Sequence, residues 1–264
     1  LLKNKITPIF LKGTGNLLAG IYDDIAERMV GDIDFIFSKE DYPKAIAVLI
    51  EFGYHINAPC MTNRHYAKLI KKGSIAAVEI HKELLIDKYV NEFNYRFVEK
   101  DSQIINGAAV LSYANKLNLS IIANQINDSG FYYKTMALRN AYDVFLLSKK
   151  TNAKDAVNTL DKLSHPLNCF LAACDEVFNK VETIEYYNNA KTALYLRNFN
   201  NQFTNPIRGK YKRRKIYLFI KRTFYILYKS VIYKEYRVFI FKSLTDKNWY
   251  KEKLIQLGIK QSDY

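Results

Sequence analysis

The sequence predicts an α+β fold, in which a small mixed β-sheet with flanking helices precedes an α-helical domain and a basic helical tail. Three observations support this prediction. Strand-like and helix-like segments alternate over the first hundred residues, helical periodicity dominates the next hundred, and positive charge is concentrated near the carboxyl end. The early alternation is typical of a sheet covered by helices. We therefore expect domains at residues 1–100, 101–205 and 206–264.

The amino-terminal segments are short and are separated by turn residues. Apolar patterns of period two predict strands at 6–11, 32–37, 64–70 and 75–81, and helical spacing predicts helices from about residue 14 and at 41–52. Gly53 is placed to end the second helix, because glycine readily adopts the left-handed conformation found at helix ends. The sequence Lys-Lys-Gly-Ser at 71–74 predicts a hairpin turn.

The later segments predict helices at 102–127, 132–148, 153–163 and 167–178, interrupted by Asn-Asp-Ser-Gly at 127–130 and Ser-His-Pro at 164–166. Arg139 and Asp143 lie one helical turn apart, so we expect them to form an ion pair. The Asn-rich stretch 198–205, which ends before Pro206, is the best candidate for a linker.

Composition places limits on the environment of the protein. The 264 residues are 49% hydrophobic, which suits a globular core. No apolar stretch approaches the length of a transmembrane segment, and the start of the chain does not resemble a cleavable signal, so we expect a cytoplasmic protein. The three cysteines, Cys60, Cys169 and Cys174, lack the spacing of a zinc or redox site and are expected to be reduced.

The carboxyl-terminal tail is strongly basic and aromatic. Residues 208–242 contain twelve Lys or Arg, one acidic residue and ten Tyr or Phe, and thus carry +11 of the chain's net charge of +14. Three interpretations compete. The tail is an amphipathic helical pair that packs on the body through Ile216, Phe219, Ile220, Phe224, Leu227 and Val231, or it binds RNA or another polyanion, or it lies on an anionic membrane surface.

Two acidic residues in the second strand form the strongest candidate site. Asp32 and Asp34 alternate with Ile33, Phe35 and Phe37, so both carboxylates project from one face while the apolar side chains are buried on the other. Such a pair is suited to hold Mg²⁺ against phosphates. A solvated strand edge is the alternative. Glu79, in the strand at 75–81, qualifies as a third acid.

Other residues near these acids have side chains suited to a nucleotide. Lys12 and Arg28 carry charge suitable for a triphosphate, and Gly13 allows backbone groups to approach phosphates closely. His65 and His81 are further candidates, with a structural role as the alternative for each. The Thr14 hydroxyl is expected to contact phosphate. The alternative is an ordinary strand-to-helix turn in which either Thr14 or Asn16 is the N-cap of the first helix.

The motifs resemble the uncharacterised nucleotidyltransferase family of the polymerase-beta-like superfamily. The segments that carry the resemblance are Leu-Lys-Gly at 11–13, Arg-Met-Val-Gly-Asp-Ile-Asp at 28–34, the helix that closes in Gly-Tyr at 53–54, and Val-Glu-Ile-His at 78–81. Leu-Arg-Asn-Ala-Tyr-Asp at 138–143 resembles a helix that this family shares with toxin-type nucleotidyltransferases. Family members usually carry an upstream helix, so a segment before Leu1 is expected.

The resemblance implies an enzyme that moves a nucleoside monophosphate from a nucleoside triphosphate such as ATP to a hydroxyl acceptor. It implies a two-metal mechanism in which Asp32 and Asp34 hold both Mg²⁺ ions, or Mn²⁺ in their place, and Glu79 helps to position the attacking group. Glu79 is also the candidate third metal-holding acid, and the candidate nucleotide contacts are Lys12, Gly13, Thr14, Arg28, His65 and His81. The acceptor is left open between a small molecule, a protein and RNA. The alternative is a non-catalytic module that retains the fold and binds RNA or a membrane surface through the tail.

Overall fold

A mixed β-sheet organises the amino-terminal part of the protein. The computed structural model describes residues 1–58, 64–66, 68–204 and 208–256. Within these residues the sheet has seven strands in the order β3-β4-β5-β2-β1-β7-β6. The strands are β1 Ile9–Phe10, β2 Asp32–Ile36, β3 His55–Ala58, β4 Lys68–Ile70, β5 Ala77–His81, β6 Gln103–Ile105 and β7 Ala108–Val110.

The helices of the same part of the chain surround this sheet and continue beyond it. They are α1 Lys12–Leu18, α2 Tyr42–Glu51, α3 Tyr95–Glu99, α4 Tyr113–Ile122, α5 Gly130–Tyr133, α6 Leu138–Ser148, α7 Ala153–Asn158, α8 Ser164–Val177 and α9 Ala190–Thr204. A π-helical turn, Ala123–Asn127, continues α4. The combination of a mixed sheet with flanking and following helices confirms the predicted α+β class.

The central strands fix the register on which the site depends. Strand β2 pairs in parallel with β5 and in antiparallel orientation with β1. The Cα partners across β2 and β5 include Asp34 with Glu79. On the opposite face, Phe35 of β2 and Phe37, just after the strand, are buried in an apolar cluster with Leu49 of α2. The predicted alternation of acidic and apolar faces along β2 is therefore confirmed.

Two parts of the sheet differ from the sequence-based prediction. The stretch 102–127 is not helical from its start, because β6 and β7 form a hairpin whose turn residues, Asn106 and Gly107, have φ of 50° and 78°. Strand β7 then extends the sheet by pairing in parallel with β1. Strand β3, at residues 55–58, was also not predicted, and it pairs with β4 across one irregularity in register.

The Asn-rich stretch proposed as a linker is helical as far as residue 204. Helix α9 continues through it because Phe199 is buried and anchors the helix. Two asparagine side chains also form hydrogen bonds there: Asn198 Nδ2 donates to the Leu194 carbonyl, and Asn200 Nδ2 donates to Glu176 Oε1. Pro206 lies outside the described residues, as does Cys60.

The chain divides into two compact units, residues 1–200 and 201–264. The second contains α10 Arg208–Ile232, α11 Lys234–Thr245 and α12 Lys247–Gln256. Helix α10 packs on α11, and Arg237 Nη1 donates to the carbonyls of Ser230 and Val231 near the end of α10. Among the helices of the described residues, none is both long and apolar enough to cross a lipid bilayer.

Candidate active site at the β2 and β5 strands

Neighbouring parallel strands bring two of the predicted acids together. Asp34 on β2 and Glu79 on β5 are register partners, and Lys12 Nζ lies 2.7 Å from Asp34 Oδ1 and 3.7 Å from Glu79 Oε2. Lys12 is the first residue of α1 and has a left-handed φ of 49°. The ammonium group therefore partly neutralises a pair of carboxylates that would otherwise repel each other.

The hydrogen bonds to Asp34 leave one of its oxygens open. Lys12 Nζ and His81 Nε2 both contact Oδ1, the latter at 2.8 Å. Among the described residues, no group donates to Oδ2. The Asp34 side chain is largely buried, at 10% exposed, and a carboxylate oxygen without a hydrogen-bond donor is the kind of ligand that a divalent cation prefers.

Two histidines surround Glu79. His65 Nδ1 lies 3.2 Å from Glu79 Oε1, and His81 Nε2 lies 3.7 Å from Glu79 Oε2. The hydrogen bond from His65 lowers the pKa of Glu79. Burial lowers the pKa of His81 well below its usual value, so its ring is neutral and keeps a lone pair. His81 Nδ1 is buried and has no hydrogen-bond partner among the described residues.

These groups fit a divalent metal ion. In the described part of the chain, three residues each offer one ligand atom, and these atoms lie within 4.8 Å of one another: His65, Glu79 and His81. An ion such as Zn²⁺ binds four ligand atoms in a tetrahedron, with bonds of about 2.0–2.1 Å. Two ligand atoms of such a tetrahedron lie about 3.3 Å apart. The 3.2 and 3.7 Å separations end on different oxygens of Glu79, so one ion would need small shifts of these side chains, and His81 Nε2 would exchange its contact with Asp34 for the ion.

Asp32 lies on the same strand but is held differently. Its Oδ1 is 2.6 Å from Lys68 Nζ, and this contact raises the pKa of Lys68. Asp32 does not belong to the group formed by His65, Glu79 and His81. Lys68 was not among the predicted site residues, although its place on β4, beside the strand β5 that carries Glu79, is a usable signal.

The turn at the start of α1 differs from the predicted capping arrangement. The helix begins at Lys12, its N-cap is Leu11 without a side-chain hydrogen bond, and the prediction of Thr14 or Asn16 as N-cap is therefore wrong. The Thr14 hydroxyl instead donates to the Asp32 carbonyl at 3.3 Å. This contact ties α1 to the acid-bearing strand.

Arg28 is buried beside this turn in an ion pair with Asp143 of α6. Its Nε lies 3.1 Å from Asp143 Oδ1, its Nη2 donates to Oδ2 at 3.2 Å, and its Nη1 donates to the Met29 carbonyl at 2.8 Å. The Tyr22 hydroxyl also donates to Asp143, at 2.7 Å. The predicted pairing of Asp143 with Arg139 is therefore wrong.

Gly13 lets the Arg28 side chain lie against the turn. A Cβ atom at Gly13 would lie 3.1 Å from Arg28 Cζ and 3.1 Å from Val30 Cγ2. Gly15 is more restricted, because a Cβ there would lie 2.5 Å from the Phe10 carbonyl oxygen. A side chain at Gly13 would therefore crowd Arg28 and Val30, and the approach of Gly13 to phosphates stays a prediction.

Sequence and structure comparisons bear on this arrangement. The sequence profile of a family described as uncharacterised nucleotidyltransferase matches residues 1–175. One solved structure, the solution structure of the antibiotic-resistance factor ANT(2'')-Ia, is similar with a TM-score of 0.39 and 12% identity over 67% of this chain and 90% of the other. No curated protein sequence matches the chain. Since the profile covers most of the chain, including β1, β2 and β5, the protein belongs to the uncharacterised nucleotidyltransferase family.

Proposed function

We propose that this site catalyses a metal-dependent transfer of a nucleoside monophosphate from a nucleoside triphosphate to a hydroxyl group. The observation that carries the proposal is the placement of Asp34 and Glu79 side by side on parallel strands, with Lys12 Nζ near both carboxylates. A rigid strand pair holds its charged groups in fixed positions, as stabilisation of a phosphoryl transition state requires.

Asp32, Asp34 and Glu79 would hold Mg²⁺, or Mn²⁺ in its place. Bound there, the ion would neutralise charge on the triphosphate and lower the pKa of the attacking hydroxyl. Asp34 offers Oδ2 while Oδ1 is held by Lys12 and His81. Asp32, 32% exposed, would exchange its contact with Lys68 for the ion.

The remaining residues have distinct roles in the proposal. Lys12, with a side chain 30% exposed, would carry its charge to the phosphates once a metal ion neutralises Asp34. His65 and His81 orient Glu79 and Asp34 through the contacts described above. Gly13 and Thr14 shape the turn that faces the nucleotide, and Arg28 supports that turn from behind through Asp143.

Transfer of radioactive label tests the proposal directly. Each of the four α-³²P nucleoside triphosphates is incubated with the protein, Mg²⁺ and a cell extract, which is then separated into RNA, protein and small-molecule fractions. The variant Asp34→Asn is compared with Asp101→Asn, which removes the same charge at an exposed turn position. Circular dichroism establishes that both variants are folded.

The proposal predicts label in one fraction with the wild type and Asp101→Asn, and none with Asp34→Asn. This pattern would also identify the class of the acceptor. A fully active Asp34→Asn variant would exclude the metal-holding role of that carboxylate. Absence of label in every fraction, with all three proteins folded and Mn²⁺ also tested, would contradict nucleotidyl transfer to the acceptors present in the extract.

A further inference from the structure

Helix α10 carries a continuous apolar stripe along one side. At 100° per residue, seven of its side chains occupy a sector about 120° wide. Four are aliphatic and three are aromatic: Ile216, Ile220, Leu227 and Val231, with Tyr217, Phe224 and Tyr228. The stripe extends over more than four turns of the helix, since its members span residues 216–231.

The side chains of the stripe are exposed to solvent. All seven side chains are exposed, among them Phe224 at 67% and Val231 at 79%. Leu218 and Ile226, which lie on the other side of the helix, are only partly accessible. Seven exposed apolar or aromatic side chains in one continuous stripe are unusual for a water-facing helix, and they indicate a site of interaction.

Positive charge accompanies the stripe. On α10, Lys221 lies about 20° beyond the edge of the apolar sector, whereas Arg222 and Lys229 lie on the opposite side of the helix. Residues 208–242 together carry a net charge of +11. A partner that matches this helix must therefore offer negative charge next to a surface that accepts apolar side chains.

We propose that α10 binds in the plane of an anionic lipid bilayer, with the stripe in the acyl boundary, Lys221 at the headgroups beside it, and the positive charge of residues 208–242 attracted to the anionic surface. RNA also offers negative charge, and it would stack bases on aromatic side chains. It provides no comparable environment for the four aliphatic side chains, whereas a bilayer accepts aliphatic and aromatic groups alike. This inference concerns the second unit and does not depend on the proposed nucleotidyl transfer.

Vesicle co-sedimentation of the full chain tests the proposal. Vesicles of phosphatidylcholine with phosphatidylserine are compared with vesicles of phosphatidylcholine alone. We expect binding to the anionic vesicles that weakens as salt increases, because exposed charges are screened. The variant Phe224→Glu should bind at least about tenfold more weakly, since it places a charge in the stripe.

The matched control is Tyr225→Glu. It removes an aromatic side chain and adds the same charge at the adjacent position, outside the apolar sector. Its vesicle affinity should stay within about threefold of the wild type. Circular dichroism and size-exclusion chromatography of both variants establish that each is folded and report self-association through the stripe.

A fluorescent reporter gives a positive readout that does not depend on a loss of binding. Trp249 is the single tryptophan of the chain, so Phe224→Trp in a Trp249→Phe background reports on the stripe alone. Anionic vesicles should shift its emission to shorter wavelength as the indole leaves water. An unshifted emission would overturn the proposal. So would equal losses in Phe224→Glu and Tyr225→Glu, binding to single-stranded RNA without binding to vesicles, or self-association without vesicle binding.

Discussion

Arg28 and Asp143 form a buried ion pair although they lie 115 residues apart in sequence. Three of the four hydrogen bonds of the guanidinium are made with the carboxylate, in the forked geometry that favours arginine over lysine. The pair joins α6 to the segment that enters β2. Tyr142, the preceding residue on α6, reinforces this junction through a hydrogen bond from its hydroxyl to Glu27 Oε2 at 2.5 Å.

We expect Asp143→Ala to destabilise the protein by about 3–5 kcal/mol, because it leaves a buried guanidinium without its counter-ion. Denaturant unfolding of the purified variant measures the change. Asp101→Ala, at an exposed turn position, should change the free energy of unfolding by less than about 0.5 kcal/mol. Equal stabilities for Asp143→Ala and the wild type would show that the pair contributes nothing net.

Replacing three glycines near the site by alanine should lower the melting temperature by graded amounts. A Cβ atom at Gly15 would lie 2.5 Å from a backbone oxygen, one at Gly13 would lie 3.1 Å from side-chain atoms, and one at Gly31 has open space. We therefore expect Gly15→Ala to lower the melting temperature most, Gly13→Ala to lower it less, and Gly31→Ala to leave it nearly unchanged. Thermal unfolding of the three variants in one buffer provides the ranking, and a different order would contradict this account of the turn.

Local sequence patterns were sufficient to predict the strand that carries Asp32 and Asp34. Contacts between distant parts of the chain could not be predicted from such patterns. Alternation along residues 32–37 correctly separated Asp32 and Asp34 from Phe35 and Phe37, because strand geometry fixes which side chains share a face. The partner of Asp143 was missed because helical spacing indicates only neighbours one turn away. Arg28 approaches from a different part of the chain, which no periodicity encodes.

Other misses have different physical causes. The sequence Asn106-Gly107 between short apolar runs is a recognised hairpin signal, and it could have identified β6 and β7. The asparagines of 198–204 favour a linker, whereas burial of Phe199 stabilises a helix there. Tertiary packing thus overrode a weak local preference.

Replacing Lys12 by Met should have opposite effects on metal binding and on catalysis. Lys12→Met removes a positive charge 2.7 Å from Asp34, so Mn²⁺ should bind the nucleotide-free protein several-fold more tightly. Nucleotidyl transfer should fall, because the triphosphate loses a cation. Isothermal titration with Mn²⁺ measures the first effect. Lys39→Met, which removes an exposed lysine paired with Glu83, is the control, and weaker Mn²⁺ binding in Lys12→Met would contradict the expectation.

The arrangement of His65, Glu79 and His81 predicts binding of Zn²⁺. Replacing His65 by Gln removes one of three ligands and should weaken Zn²⁺ binding by at least about tenfold. His55→Gln is the matched control, since His55 is exposed on β3 and does not belong to this group. Competition with a chromophoric chelator measures both affinities. Equal affinities for the two variants would exclude His65 as a ligand.

Lys116 on α4 predicts a dependence of stability on pH. The residue is buried, its Nζ donates to the Leu111 carbonyl, and burial lowers its pKa from the usual 10.5 to about 8. Between these two pKa values the unfolded chain binds a proton that the folded protein does not bind. Stability therefore rises with pH across this window, and below pH 8 the folded protein bears the cost of a buried charge.

Lys116→Met isolates this contribution, because other groups that titrate in the same range cancel in the comparison with the wild type. From pH 7 to pH 10, the wild type should gain about 2–3 kcal/mol of unfolding free energy relative to the variant. Denaturant unfolding at both pH values measures the change, and Lys3→Met, which removes an exposed lysine, controls for net charge. A difference between wild type and Lys116→Met that stays constant with pH would show that Lys116 remains protonated in the folded protein, with its carbonyl contact compensating for burial.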